Sequence, residues 1–246
     1  MKLSLVIPAH NEADCIEKTI LGLVYHLRRA AIPSEILVVN DNSTDATGAT
    51  LKRLSAEYPE VTSIDNLGSK GFGFAVRRGL ENFTGDVVAI VMGDGSDAPE
   101  DVVRFFRKIG EGYDCVFGSR FVKGGTAHGY PLHKLILNRV INQWIRLIFG
   151  IKYNDVTNAF KMYHQETIQG LRPFLSDHFN LTVELPLKAI TRGYSYTVLP
   201  NSWTNRKTGK SKLKIKEMGS RYLFIVLYCL IEKWLSLGDY KKDSPH

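Results

Sequence analysis

The chain has only three cysteines, Cys15, Cys115 and Cys229, far apart in the sequence. That odd number and wide spacing exclude a disulfide framework and a Cys-x-x-Cys zinc site, and favour reduced thiols. No apolar run reaches the roughly 20 residues that a membrane-spanning helix needs. The closest, residues 222–231, is stopped by Glu232 and Lys233. There is no internal repeat, no low-complexity tract and no Pro- or Ser-rich linker. The first residues run straight into a strand-like pattern, so no signal peptide is expected. Also missing are G-x-G-x-x-G after the first strand and G-x-x-x-x-G-K-[ST], which removes support for a dinucleotide fold or a P-loop.

What is present points to a globular protein with an anionic partner. A hydrophobic content of 44% is ordinary for a chain with a real core. At 246 residues it makes one large domain or two small ones. The net charge of +7 and the pI near 9.2 favour nucleic acid, a phosphorylated ligand or an acidic membrane face.

Two segments carry most of the information. Residues 3–12 read LSLVIPAHNE and residues 35–45 read EILVVNDNSTD. Each is a short Val/Ile/Leu run that stops abruptly at polar residues. Strands buried on both faces of a parallel sheet look like this when they deliver functional groups at their carboxyl ends. Ligands of open α/β sheets bind at those ends. Here they carry Pro8, Asn11, Glu12, Asp41 and Asp45, acceptor groups suited to a ribose hydroxyl or a base edge.

Periodicity extends the pattern. Strands are expected at 3–8, 35–40, 61–65, 86–92 and 114–120. Helices are expected at about 11–29, capped by Asn11, then at 46–57, 74–82 and 99–109, with Thr44 or Asp45 capping the second and Pro99 in the first turn of the fourth. The repeated β-α order argues a mostly parallel sheet. After Arg120 the character changes. A glycine-containing loop leads to a long helix, 132–149. A strand near 159–163, helices 164–171 and 182–192 and a strand 194–200 follow. A basic loop, 201–216, and a last helix, 217–237, complete the chain, with 241–246 a frayed tail.

Six elements now converge in order: PAHNE, VNDNSTDAT, NLGSKGFGFA, VMGDGSDAPED, GSR and RKTGKSK. Together they resemble glycosyltransferase family 2, in particular its polyprenyl-phosphate hexose synthases, over roughly residues 3–216. The resemblance implies a GT-A-like, Rossmann-like fold and a nucleotide-sugar donor. It also implies a divalent metal (Mg2+ or Mn2+), inversion at the anomeric carbon and a polyprenyl phosphate acceptor. It places Pro8, Asn11, Glu12, Asp41, Lys70, Gly71 and Asp94 around the donor. The metal motif departs from the family pattern: Asp94 aligns with the second Asp of the usual Asp-x-Asp, and Met92 stands where the first would be. Asp94, Ser96 and Asp97 are therefore the expected ligands. Arg120, Arg139, Arg206, Ser211 and Lys212 are expected to meet phosphate, and Asp155 is expected as an active-site group. Together Asp94, Arg120, Arg206, Lys212 and Asp155 form the expected catalytic set. Glu184 ranks below Asp155.

These parts suggest a division of labour. Residues 1–120 read as the donor half, 121–216 as an acceptor half on the same sheet, and 217–246 as an interfacial helix and tail. A phosphate acceptor is already ionised near neutral pH and needs no strong base. The barrier then lies in charge on the leaving diphosphate and in aligning two anions. A sugar hydroxyl would need a carboxylate base, and Asp97 or Asp155 would be available. A transferase extending a surface polysaccharide or glycolipid thus stays open, and a non-catalytic nucleotide-sugar-binding protein is a remoter reading suggested by Met92. A nucleic-acid partner is not expected, and a homo-oligomer is left open. On helix 132–149, Lys134, Asn138, Asn142 and Arg146 recur every four positions within a broad apolar arc. Such a helix can lie in a membrane interface with its basic residues toward headgroups. Peripheral attachment at the cytoplasmic membrane face is the expectation.

Overall fold

The two informative segments become neighbouring strands, β1 (Leu3–Ala9) and β2 (Ser34–Asn40), paired parallel from Leu3 opposite Ser34 to Ala9 opposite Asn40. The computed structural model describes residues 1–205 and 215–242, with side chains from 219 onward in the second stretch. The expected strands and helices are present, most with ends shifted by a few residues. In order they are α1 (Ile16–Arg29), α2 (Thr47–Glu57), β3 (Val61–Asp65), α3 (Phe72–Asn82), β4 (Val87–Ile90), α4 (Pro99–Ile109) and β5 (Cys115–Ser119). Then come β6 (Thr126–His128), α5 (Leu132–Phe149), β7 (Lys161–His164), α6 (Gln165–Gly170), α7 (Leu181–Thr191), β8 (Tyr196–Pro200), β9 (Ser202–Thr204) and α8 (Ile215–Leu235). The short pair β6 and β9 was not expected; three-residue strands carry too little period to read.

Seven strands form one sheet in the order β3-β2-β1-β4-β7-β5-β8. Only β7 runs antiparallel to its neighbours β4 and β5, so strands from beyond Arg120 share the sheet with the first half. The period-two alternation sorts residues between the faces. Leu3, Leu5, Ile7, Ile36 and Val38 join one core with α1, α2 and α4. Val6, Leu37 and Phe117 join the other, with α3, α5, α7 and α8.

One expected cap is replaced, and of the two alternatives for the next helix one is used. Asn11 does not cap α1; it sits at φ 49, and its Oδ1 accepts the Thr44 N–H at 2.8 Å, tying the β1 and β2 end loops together. Asp45 rather than Thr44 takes the Thr47 N–H, at 2.9 Å. Inside α7, Pro186 cannot donate to the carbonyl four residues back. That carbonyl, of Thr182, accepts from the buried Lys161 Nζ at 3.0 Å instead.

The donor-side loop and the α6–α7 loop meet at a glycine. A Cβ on Gly73 would lie 2.3 Å from the Asp177 carbonyl carbon, and Phe72 stacks on Phe179 with centroids 4.4 Å apart. Arg77 adds an ion pair with Asp177. Gly73→Ala must force this backbone contact apart. We expect it to lower stability by about 1–3 kcal/mol, read as a reduced thermal midpoint; an unchanged midpoint would show that the contact yields freely.

α8 packs against α7, and α5 reaches the same core layer. Ile145 and Phe149 share the core with Ile225, Val226 and Cys229, and Lys233 Nζ donates to the Phe149 carbonyl at 2.8 Å. A buried, two-point Arg192–Glu232 pair (2.7 and 2.9 Å) anchors α8 to the end of α7. The expected orientation of α5 is corrected here. Its asparagines face inward, Asn142 fully buried, while Leu132, Ile136, Val140, Trp144 and Leu147 face outward. Thr157 Oγ1 accepts hydrogen bonds from the Asn138 and Asn142 side-chain amides, so the polar stripe serves the protein interior rather than headgroups. The outward faces of α5 and α8 are both apolar, α8 presenting Leu223, Phe224, Leu227, Ile231 and Trp234. No helix among the described residues is long and apolar enough to cross a membrane.

Candidate active site

The carboxyl ends of β1, β2, β4 and β5 open onto one cavity of about 830 Å³. β1 contributes Pro8 and, just beyond it, His10 and Glu12. β2 contributes Asp41, β4 leads into Met92, Asp94, Ser96 and Asp97, and β5 leads into Arg120. Lys70, Gly71, Tyr130, Lys134, Asn158, Trp203 and Arg221 complete much of the polar lining, and Leu137, Ile141, Phe179 and Tyr222 give an apolar wall.

Asp41 is only 4% exposed. Its carboxylate accepts the Asn66 amide at 2.7 Å and the Gly71 N–H at 3.0 Å, so it shapes the loop that carries Lys70. His10 Nδ1 contacts the Asp41 carbonyl at 2.7 Å. Asn11, expected around the donor, does not line the cavity; it braces the adjoining loop.

The loop after β4 is tightly wound. Asp94 Oδ1 accepts the Ser96 N–H at 3.1 Å, and Asp97 Oδ2 accepts the Met92 N–H at 3.1 Å. Asp97 is 8% exposed. Burial pushes its pKa up to about 7; the Met92 bond opposes this and the nearby Asp94 carboxylate adds to it. Among the described residues the Ser96 hydroxyl is buried without a hydrogen-bond partner. From the other side β9 clamps the loop, with Thr204 N donating to the Ser96 carbonyl at 2.9 Å.

Arg120 is held along one edge by a carboxylate and walled by aromatic rings. Its Nε and Nη2 donate to Asp155 at 2.9 and 2.8 Å, and its backbone N–H donates to the same carboxylate at 3.0 Å. The guanidinium carbon lies 5.4 Å from the Tyr130 ring centroid and 5.8 Å from that of Trp203. Burial alone would lower its pKa, but the Asp155 charge and hydrogen bonds outweigh that and raise it.

Comparison with known proteins follows this geometry. The Glycosyl transferase family 2 profile matches residues 4–172. The chain is 31% identical to polyprenol monophosphomannose synthase of Mycolicibacterium smegmatis, over 85% of this chain and 80% of that one. It is 28% identical to undecaprenyl-phosphate mannosyltransferase of Micrococcus luteus, over 96% and 98% of the two chains. The chain belongs to glycosyl transferase family 2. In fold it is similar to glucosyl-3-phosphoglycerate synthase from Mycobacterium tuberculosis, crystallised with Mn2+, uridine diphosphate and glucosyl-3-phosphoglycerate. That likeness has a TM-score of 0.67 at 18% identity and covers 99% of this chain and 81% of the other. The GT-A-like fold expected from the sequence is the fold observed, and the protein is a glycosyltransferase.

In this glycosyltransferase no three His, Cys, Asp or Glu side chains converge among the described residues. The loop after β4 offers a different set: two carboxylates and the unpartnered Ser96 hydroxyl. Oxygen donors with excess negative charge fit a hard divalent cation whose other ligands are diphosphate and water.

Other expected residues fall elsewhere. Arg139 does not line the cavity; it stacks on Phe121 at 4.3 Å and donates to the Asn154 carbonyl. Asp155 is fully buried behind Arg120 and does not line the cavity either. Glu184 is also buried, accepting the Leu175 and Ser176 N–H groups and pairing with Lys188. Arg206, Ser211 and Lys212 lie outside the described residues. Sequence reasoning missed Lys134, Tyr130, Trp203 and Arg221 as cavity residues. For Lys134 the signal was present, since it opens the polar stripe of α5. For Tyr130 and Trp203 nothing local distinguished them from core aromatics.

Proposed function

We propose that the protein moves a hexose from a nucleotide sugar to a polyprenyl phosphate. Residues 1–120 act as the donor half, 121–216 as the acceptor half and 217–246 as an interfacial helix and tail. One observation carries this reading: a single cavity joins the acidic strand ends, the buried Arg120 and an apolar wall from α5 and α8. Nucleoside, anionic head and hydrocarbon each find matching chemistry there. The mannose-specific names of the curated relatives make mannose the first sugar to test.

Pro8, Glu12, Asp41, Lys70 and Gly71 hold the nucleoside and diphosphate. Asp94, Ser96 and Asp97 would hold a divalent cation, which when bound neutralises charge on the leaving diphosphate. Arg120 and Lys134, with Arg206, Ser211 and Lys212 of the basic segment, gather the acceptor phosphate. Two anions that repel are thereby aligned by fixed cations, and no proton need be removed from the attacking oxygen. The saccharide-acceptor reading loses one of its two bases, because Asp155 is consumed by Arg120. The deciding experiment incubates labelled nucleotide sugars with polyprenyl phosphate and divalent cation and reads lipid-phase product. Product only on a saccharide or glycolipid would refute the acceptor assignment.

Asp41→Ala should weaken donor affinity by about tenfold, since two hydrogen bonds that order the Lys70 loop are lost. Its effect on turnover of bound donor should be smaller, because the contact is remote from the reacting bond. Calorimetry showing unchanged donor affinity would remove Asp41 from the site.

The same reading puts the protein peripherally on the cytoplasmic membrane face, where such an acceptor would be met. The outward apolar faces of α5 and α8 flank the cavity wall formed by Leu137, Ile141 and Tyr222 and would enter the interface. A Trp144→Glu/Phe224→Glu variant should stop co-sedimenting with anionic vesicles and lose transfer to vesicle-borne acceptor. Transfer to a short, detergent-dispersed acceptor should survive. Undiminished vesicle binding would show that these helices face something other than lipid.

A further inference from the structure

The catalytic arginine is not simply a charge at a strand end; it is mounted. Both Asp155 oxygens are occupied by Arg120, in a pair that is 0% and 8% exposed. Among the described residues Arg120 Nη1 donates no hydrogen bond, and Arg120 lines the cavity. Phe121, Tyr130 and Trp203 close round the guanidinium at 5.3, 5.4 and 5.8 Å. The fork is thus spent on one edge and kept for a ligand on the other, the planar geometry with which arginine recognises phosphate.

The mount itself is braced. Segment 153–158 is stitched to the end of β5 through side chains. Tyr153 Oη and Asn158 Nδ2 donate to the Gly118 carbonyl at 2.9 and 3.0 Å, and Ser119 Oγ donates to Asn154 Oδ1 at 2.6 Å. On the other side α5 grips the same segment. Asn142 Nδ2 donates to Thr157 Oγ1 at 2.9 Å, while Asn142 Oδ1 accepts the Thr157 N–H at 3.2 Å. Asn142 is fully buried and does not line the cavity. Its two-point bond satisfies Thr157, two residues from Asp155.

We propose that Asp155 is a positioning residue that fixes the Arg120 fork toward the acceptor phosphate, and that Asn142 fixes Asp155 through Thr157. The proposal rests on the reading of Arg120 as the acceptor-phosphate contact, and it replaces any role for Asp155 as a proton acceptor. A fully buried carboxylate whose oxygens are already engaged by a cation has no access to a substrate proton.

The test compares Asp155→Asn, Asn142→Leu and the conservative Asn142→Asp, which keeps the acceptor for the Thr157 N–H. Donor affinity, acceptor KM, kcat, the pH–rate profile and the thermal midpoint are measured for each. For Asp155→Asn, transfer should fall by about ten- to a hundredfold, the span of one charged hydrogen bond. Donor affinity should stay within about twofold, because the lost contact faces the acceptor, and the pH profile should keep its shape. Asn142→Leu should show the same pattern more weakly, and Asn142→Asp should recover part of it. Added guanidinium should partly restore Arg120→Ala but not Arg120→Ala/Asp155→Asn, which lacks the carboxylate to seat it. Loss of a pH limb in Asp155→Asn would make Asp155 a base and overturn the proposal. Equal loss of donor affinity, transfer and thermal midpoint would make the cluster merely structural, and unchanged transfer would also refute it. If the wild type yields no lipid-phase product, the acceptor reading fails separately. The mount is then judged by heteronuclear NMR: the Arg120 Nε–H resonance must be sharp in the wild type and lost in Asp155→Asn.

Discussion

Asp94→Ala should abolish sugar transfer, by about a thousandfold or more, while the chain still folds. The expected loss follows from what remains. The loop after β4 would keep one buried carboxylate, Asp97, and the Ser96 hydroxyl, too few charges to hold a hard cation against a diphosphate. The fold should survive, because Asp94 is only half buried and its carboxylate bonds the Ser96 N–H within its own loop. A second consequence concerns pH. Asp97 is held up to about 7 by burial first and by Asp94 in part. Its proton therefore competes with cation binding below that pH, and cation affinity should rise as pH rises through it. Removing Asp94 takes away one cause of the elevation, so the Asp97 midpoint should fall. Near wild-type turnover in chelator-treated buffer would refute the metal assignment. Met92→Asp is the companion variant: it restores a carboxylate beside the loop and should strengthen cation binding.

Much of this was legible because the signal was local. β1 and β2 are buried on both faces, so their sequences are continuous apolar runs, and the polar residues that end them mark the site. Asp41 was found in that way, whereas Asp94 and Arg120 came from the resemblance of the later elements to the family. What failed was anything set by partners distant in sequence. Asn11 looks like a helix cap, yet its amide is taken by Thr44 across the loop. Asp155 and Arg139 carry the right charges, but their direction depends on how segment 153–158 folds behind β5. The polar residues of α5 suggested a stripe facing membrane headgroups. Polar residues on a helix do not by themselves say whether they meet water or a buried Thr157. The short strands β6 and β9, which bring Trp203 over the acidic loop, carry no period long enough to read.

Arg120→Ala should be the most damaging single change on the acceptor side, and it tests stability and catalysis at once. Removing the guanidinium leaves Asp155 buried, ionised and without its cation. Breaking a buried pair in this way costs about 3–5 kcal/mol, so the thermal midpoint should drop clearly. Arg120→Ala/Asp155→Ala removes both charges, and it should regain part of that stability without regaining transfer. The two effects are thereby separated: the midpoint follows the unpaired charge, and transfer follows the missing fork. Arg120→Lys sharpens the distinction. It keeps the positive charge and much of the length but loses the planar, multi-donor edge, so transfer should still fall by about ten- to a hundredfold. Donor affinity should change little in all three, since Asp41, Lys70 and the acidic loop are untouched. Donor titrations, thermal melts and lipid-transfer rates on the same preparations make the comparison. If Arg120→Lys transferred as fast as the wild type, a simple point charge would suffice. The aromatic walls and the Asp155 mount would then serve the fold rather than the reaction.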